Sequence, residues 1–332
     1  MFIIRDAQIS DLDDLFLLSQ KANLLNLPSD QKKLTNLIKS SLKSFKAPSK
    51  SLEKNYYLFC LEDLVKNKVV GVSMIHGKHG TPEIPHYYLK VDQEIKESNT
   101  LKTKIINNTL KLGIEPDGFT EIGGLILDSE YRGNPHKLGK QLSMARFLYI
   151  VQHRHLFTKI IHSELLPPFD ENGKSLLWEG LGRKFLNMDY WEADILSQKD
   201  RTFIHDLFPS ATIYQNLLPE SALRVIGEVG ETTKPVKKML EDIGFSYMNE
   251  VDPFDGGPHY RAKLTSLKPY KEIKTVSGTE LKIILTENSK KLFLADLSET
   301  KKSENQNIYI QTYSTNNSDQ IINENLYTGF LI

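Results

Sequence analysis

The chain has 332 residues, 39% of them hydrophobic, enough for one main core plus a smaller appended unit. Its 42 Lys and Arg balance 42 Asp and Glu, so no global field draws it to nucleic acid or an anionic membrane, and any anion site has to be local. The one cysteine, Cys60, excludes an internal disulfide framework and fits a reducing, cytoplasmic compartment, while the early charge at Arg5 and the lack of a long apolar run argue against secretion or a membrane span.

In chain order, Phe2-Ile-Ile-Arg5 reads as a first strand. Ser10 reads as the N-cap of an amphipathic helix running through Leu12, Leu15 and Leu18. A second helix is expected over Gln31 to Phe45. Tyr56 to Leu61 and Val69 to Ile75, separated by polar residues, read as an antiparallel hairpin. The segment from His76 to Pro116 is rich in breakers and yields only a possible strand at Tyr87 to Val91.

Order resumes at Glu121-Ile-Gly-Gly-Leu-Ile-Leu-Asp128, a strand, followed by the loop Tyr131-Arg132-Gly133-Asn-Pro-His-Lys137-Leu138-Gly139-Lys140 and a helix whose Leu138, Leu142, Ala145 and Tyr149 share one face. A helix begins with N–H groups that lack intrahelical partners, so a basic, Gly-containing loop entering one suits a pyrophosphate. Arg132, Lys137 and Lys140 add formal charge. Lys159 to Leu165 reads as the next strand and Ser175 to Leu181 as a short helix. Gly182 and Gly244 are each read as a left-handed residue ending a helix. From about Leu264, short strands at Leu281 to Leu285, Leu292 to Leu294 and Ile308 to Ile310 alternate with polar turns. We therefore divide the chain into a main domain, 1–263, and a small β-rich C-terminal subdomain, 264–332, with loops at Ser303 to Asn307 and Ser314 to Asp319.

Strand, two helices, hairpin, then strand, basic loop and helix is the order of the GNAT superfamily of acyl-CoA N-acyltransferases, whose usual loop is Arg or Gln, two residues, Gly, one residue, Gly or Ala. Arg132 to Lys140 resembles it with about two extra residues. The resemblance implies an α/β (α+β) fold with a mixed central sheet flanked by helices. Gly182-Arg-Lys-Phe-Leu-Asn-Met-Asp-Tyr190, Ile213-Tyr214, Val225-Ile-Gly227 and, above all, Asp252-Pro-Phe-Asp-Gly-Gly-Pro258 are similar to the arginine N-succinyltransferase family, from Arg5 to about Tyr260.

That resemblance implies transfer of succinyl from succinyl-CoA to the α-amine of L-arginine in arginine catabolism, in a homo-oligomer or paired with a paralogous subunit. It places succinyl-CoA at Leu125, beside Ile126 and Leu127, where Gly123-Gly124 would let a pantetheine arm approach backbone amides. The competing reading of Leu125 is an ordinary core strand residue. Arg132, Gly133, Lys137, Leu138, Gly139 and Lys140 would hold the pyrophosphate.

An amine acceptor must lose a proton, and Glu121 occupies the strand start where GNAT enzymes often keep a catalytic glutamate. A solvated strand-end carboxylate is the alternative. The family's proton-donating histidine falls on Gly230, flanked by Glu228 and Glu231, and His205 and His259, elsewhere in matching segments, are possible replacements. Glu164 could face the acceptor's cationic groups. Where the family has an arginine this chain has Leu166, which leaves Arg146 and Arg183 as partners for the succinyl carboxylate. Such departures also fit another acceptor, such as ornithine, or a weakly active or non-catalytic acyl-CoA-binding subunit.

Cys60 reads as packing, not as a nucleophile. His76, His79 and His86 read as a polar loop and His153 and His155 as helix-end cations, so no metal is expected. The absence of Gly-Lys-Ser/Thr and of an early Gly-x-Gly-x-x-Gly disfavours ATP and NAD.

Overall fold

The computed structural model describes residues 2–22, 27–197 and 200–272, together with the backbone of Lys274–Ser277, Leu294–Glu299, Ile308–Ile310 and Leu326–Gly329. The strands are β1 (Phe2–Asp6), β2 (Tyr56–Asp63), β3 (Lys68–His79), β4 (His86–Ser98), β5 (Thr103–Glu115), β6 (Phe119–Leu127), β7 (Ile160–Glu164), β8 (Ile213–Tyr214), β9 (Ser246–Val251), β10 (Pro258–Lys263), β11 (Lys274–Ser277), β12 (Leu294–Glu299), β13 (Ile308–Ile310) and β14 (Leu326–Gly329). The helices are α1 (Leu12–Ala22), α2 (Gln31–Lys46), α3 (Leu138–Gln152), α4 (Arg183–Leu186), α5 (Tyr190–Ser197), α6 (Thr202–Leu207), α7 (Glu220–Leu223), α8 (Lys234–Ile243) and α9 (Lys268–Glu272). The chain forms two compact units, the first of residues 1–78, 120–161 and 263–332, the second of 79–119 and 162–262.

In the first unit the strand order is β13-β12-β1-β2-β3-β6, antiparallel from β13 through β3. α2 begins at Asp30, whose carboxylate accepts the Lys33 N–H at 2.7 Å. Its Leu34 and Ile38 join Leu15 and Leu18 of α1 on Leu58, Cys60, Val72 and Met74, giving one apolar core in which Cys60 is buried. α1 is not capped by Ser10. The N–H of Gln8 is taken by Asp11 at 2.7 Å, and a short 3-10 turn, Ile9–Asp11, precedes the helix. Asp11 also receives the buried Arg5 guanidinium through two contacts of 2.6 and 2.8 Å, which ties β1 to the helix start. α3 is buried on nearly every face, not along one stripe. β11 and β14 form a separate antiparallel pair. The strand expected at Leu281 to Leu285 and the loops expected at Ser303 to Asn307 and Ser314 to Asp319 lie outside the described residues.

In the second unit the order is β7-β10-β9-β4-β5-β8. The stretch from which the sequence yields little is a long antiparallel hairpin, β4 and β5, registered from His86↔Glu115 to Ser98↔Thr103. Its outer half is solvated on both faces, which removes the alternation that normally betrays a strand. Trp178, Leu177, Leu181, Tyr190, Val225 and Phe254 pack with Tyr87, Leu89 and Leu110 of the hairpin. Gly244 ends α8 in the left-handed region at φ 110°. Gly182 does not end its helix: it has φ −57°, and Asn187 supplies the left-handed residue after α4. Gly182 is required by proximity instead, since a Cβ there would lie 2.3 Å from the Trp178 ring.

Candidate active site

The first unit carries the loop. At the end of β6, Asp128 donates its N–H to the Val70 carbonyl at 2.8 Å, and its carboxylate pairs with Lys21 at 2.7 Å and receives the Glu130 N–H at 3.3 Å. The Lys21 hydrogen bond holds the Asp128 carboxyl below its ordinary range. Tyr131 donates its hydroxyl to Asp63 at 2.9 Å. These contacts pin the chain just before Arg132. Gly133 at φ 73° and Lys137 at φ 51° are both left-handed, which absorbs the two extra residues and turns the chain into α3. The Lys137 carbonyl accepts the N–H groups of Lys140 and Gln141, while those of Leu138 and Gly139 sit in the first turn, where a helix has no partner of its own to offer. Arg132 and Lys137 are exposed and Lys140 is half-buried.

Along β6 burial alternates, so Glu121, Gly123, Leu125 and Leu127 share the more open side, with Ile122 and Ile126 in the core. Gly124 has φ 55°, in the left-handed region, which breaks the regular pleat of β6. Arg146 of α3 donates to the Gly123 carbonyl at 3.1 Å and to the carbonyl and hydroxyl of Ser143 at 3.1 and 2.6 Å. All these acceptors are neutral, and among the described residues no carboxylate pairs with Arg146. Burial pushes its guanidinium down to about 9, so it remains a cation at neutral pH. Glu121 stands 4.0 Å from Nδ1 of His76, whose Nε2 is 2.9 Å from the Glu53 carbonyl and whose ring stacks on Tyr56.

The second unit holds a different constellation. His162 and Glu164 of β7, His86 at the start of β4 and His259 of β10 converge, and Glu164 Oε1 lies 3.3, 3.6 and 3.9 Å from nitrogens of His162, His86 and His259. The three rings are buried and Glu164 keeps 31% exposure. Burial, with the neighbouring imidazoles, pushes His86 well below the usual histidine range, and burial does the same to His259. Burial also works to raise the Glu164 carboxyl, but the His162 hydrogen bond and the neighbouring histidines hold it well below the ordinary range. Arg261 donates Nε to His162 Nδ1 at 3.3 Å, pairs with Glu250 at 2.7 Å and lies 4.0 Å over the Phe119 ring. His86 is therefore a buried strand residue and not part of a polar loop. The sequence carried one usable signal, the spacing of His162 and Glu164, since alternate strand residues share a face.

Asp252 to Pro258 is the turn from β9 to β10. Asp252 accepts the N–H groups of Phe254 and Asp255 at 2.7 and 3.1 Å, and a Cβ on Gly257 would meet the Leu165 carbonyl at 2.3 Å. Burial, then Glu164, raises Asp252 to about 7, and burial, then Asp252, raises Asp194 to about 8. Of the other candidates, Glu228 is exposed, His205 is exposed beside Asp206 at 3.3 Å, and Arg183 is engaged by Glu179 and Asp189. The structure does not gather these three. It does join Gly230 and Leu166, through a backbone hydrogen bond.

Among the described residues no helix is long and apolar enough to cross a membrane. Residues 2–269 match the model of the family described as arginine N-succinyltransferase beta subunit. The arginine N-succinyltransferase of Photorhabdus laumondii is 35% identical over 280 residues, 83% of this chain and 80% of that one. Arginine N-succinyltransferase subunit beta of Pseudomonas aeruginosa is 35% identical over 273 residues, 81% and 79% of the two chains. The solved arginine/ornithine succinyltransferase subunit AI of Pseudomonas aeruginosa superposes with a TM-score of 0.72 at 26% identity, covering 84% of this chain and 82% of that one. The family model and these relatives define the class of the chain as an acyltransferase. Within that class, the chain belongs to the arginine N-succinyltransferase family.

Proposed function

We propose that the protein transfers the succinyl group of succinyl-CoA to the α-amine of L-arginine, in the cytoplasm and as part of arginine catabolism. The observation that carries this reading is the β6–loop–α3 element, in which Arg132, Gly133, Lys137, Leu138, Gly139 and Lys140 offer backbone donors and charge to a pyrophosphate. The broken pleat at Gly124 supports a pantetheine arm pairing with the Leu125 to Leu127 backbone. Arg146, a cation whose partners are all neutral, suits the distal carboxylate of a succinyl group.

The amine attacks the thioester carbonyl, the C–S bond breaks, and the amine gives up its proton. Glu121, coupled to His76, is the base in this reading, with an effect of roughly 10² to 10⁴ fold. The departing thiol has a pKa near ~8.5, so it leaves largely as thiolate and asks little of a general acid. That is why Gly230, in the position of the family's histidine, is compatible with turnover. In the second unit, the partly exposed Glu164 is the carboxylate suited to the acceptor's ammonium or guanidinium. The departure at Leu166 favours a second reading, in which ornithine or another amine is the preferred acceptor. We further propose a homo- or hetero-oligomer with a paralogous subunit. Release of free CoA by purified protein, with arginine, ornithine and lysine in parallel, distinguishes the acceptors: arginine is expected to give the highest kcat/KM, and indifference to arginine would remove the assignment.

A further inference from the structure

The second unit holds three imidazoles and one carboxylate whose ligand atoms all lie within 4.8 Å of one another. They come from three strands, β7, β10 and β4. His86 Nδ1 and both ring nitrogens of His259 are buried and hydrogen-bond to nothing among the described residues. A buried imidazole nitrogen without a partner is costly, and here two rings aim such atoms at one carboxylate oxygen.

We propose that His86, His162, His259 and Glu164 form a site for a divalent transition metal of the zinc class. Four donors around tetrahedral zinc, each about 2.0–2.1 Å from the ion, stand about 3.3 Å apart. The separations from Glu164 Oε1 to the three nitrogens are 3.3, 3.6 and 3.9 Å, and no two ligand atoms are more than 4.8 Å apart, so the four side chains have to draw inward to hold an ion. Three imidazoles with one carboxylate is a donor set that suits zinc and its neighbours.

Two features complete the site. Glu164 binds through Oε1 alone, which leaves its other oxygen for an acceptor, and its 31% exposure gives the ion a way in. Arg261 stands behind His162, with its charge engaged by Glu250 at 2.7 Å. For His162 to ligate through Nε2 and His86 through Nδ1, the other nitrogen of each ring carries the proton, and Arg261 gives up its contacts with them at 3.3 and 3.5 Å while keeping Glu250. Each ring stays neutral and no proton is lost. The ion would bolt the start of β4 to β7 and β10.

The test uses the full chain, treated with chelator and dialysed, then titrated with Zn²⁺ against a chromophoric competitor and with Co²⁺ by visible absorption. One equivalent of each metal is expected, with Co²⁺ giving the intense bands of a four- or five-coordinate site and Zn²⁺ raising the melting temperature. His259→Ala and Glu164→Gln should each weaken Zn²⁺ binding at least tenfold, and His155→Ala, an exposed histidine elsewhere, should leave it unchanged. If His259→Ala fails to fold by circular dichroism, the isosteric Glu164→Gln decides alone. No saturable binding by the parent chain, or equal binding by Glu164→Gln, overturns the proposal. Neither result touches the assignment of acyl transfer, which is read by CoA release.

Discussion

Gly230 donates its backbone N–H to the Leu166 carbonyl at 2.9 Å, so the two positions at which the sequence resemblance leads one to expect a histidine and an arginine are neighbours in space. The departures therefore form one local change. A Cβ on Gly230 would meet the Pro167 carbonyl at 3.1 Å, a contact relieved by a shift of a few tenths of an ångström. Gly230→His should fold and raise kcat for succinyl transfer about tenfold or more, with the KM for succinyl-CoA unchanged. Steady-state CoA release checks it, and an unchanged kcat in a folded variant would mean that the chain works without that acid or does not turn over.

Arg146→Met tests the acyl subsite. Losing a charged hydrogen bond of about 1.5–3 kcal/mol should lower kcat/KM for succinyl-CoA by roughly 10- to 100-fold. Acetyl-CoA, which has no distal carboxylate, should be affected much less. Equal losses with both donors would give Arg146 a purely structural role.

Removing charge from the loop tests the pyrophosphate cradle. Arg132→Ala with Lys140→Ala should raise the KM for the CoA thioester several-fold, more at low salt than at high, because exposed charges are screened. A donor truncated to the pantetheine arm should show no change between parent and variant. Kinetics at two ionic strengths gives both answers.

Asp194 provides a pH signature. Its folded pKa, raised by burial and then by Asp252 to about 8, lies above the unfolded value near ~3.9. The native state holds a proton that the unfolded chain releases, so stability is fully present below about pH 4 and is lost as pH rises towards about 8. Asp194→Asn removes this term. Relative to the parent, it should gain on the order of a few kcal/mol between pH 5 and 8 in urea unfolding. Parallel curves for the two proteins would contradict the shift.

Much of this was legible in the sequence where one face of an element is buried. β1, β2, β3 and α2 follow the expected ranges because their apolar residues line a single core. Of the β4–β5 hairpin only the strand at Tyr87 to Val91 was legible, because the solvated half carries Lys, Glu and Asn on both faces. Nor was the His86–His162–Glu164–His259 cluster, since strand order and not sequence spacing brings its members together. Gly182 shows how a local rule fails: a helix-ending motif was expected, but the residue is fixed by the Trp178 ring above it. Gly182→Ala should accordingly cost about 1–3 kcal/mol by overpacking, measurable as a lower urea midpoint.

The most direct test measures N-succinylarginine and free CoA together, using purified protein, succinyl-CoA and L-arginine. Equimolar formation of both, dependent on arginine and slowed at least a hundredfold by Glu121→Gln, is the expected result. Tight uptake of succinyl-CoA with no arginine-dependent product would contradict it and leave an acyl-CoA-binding subunit in its place.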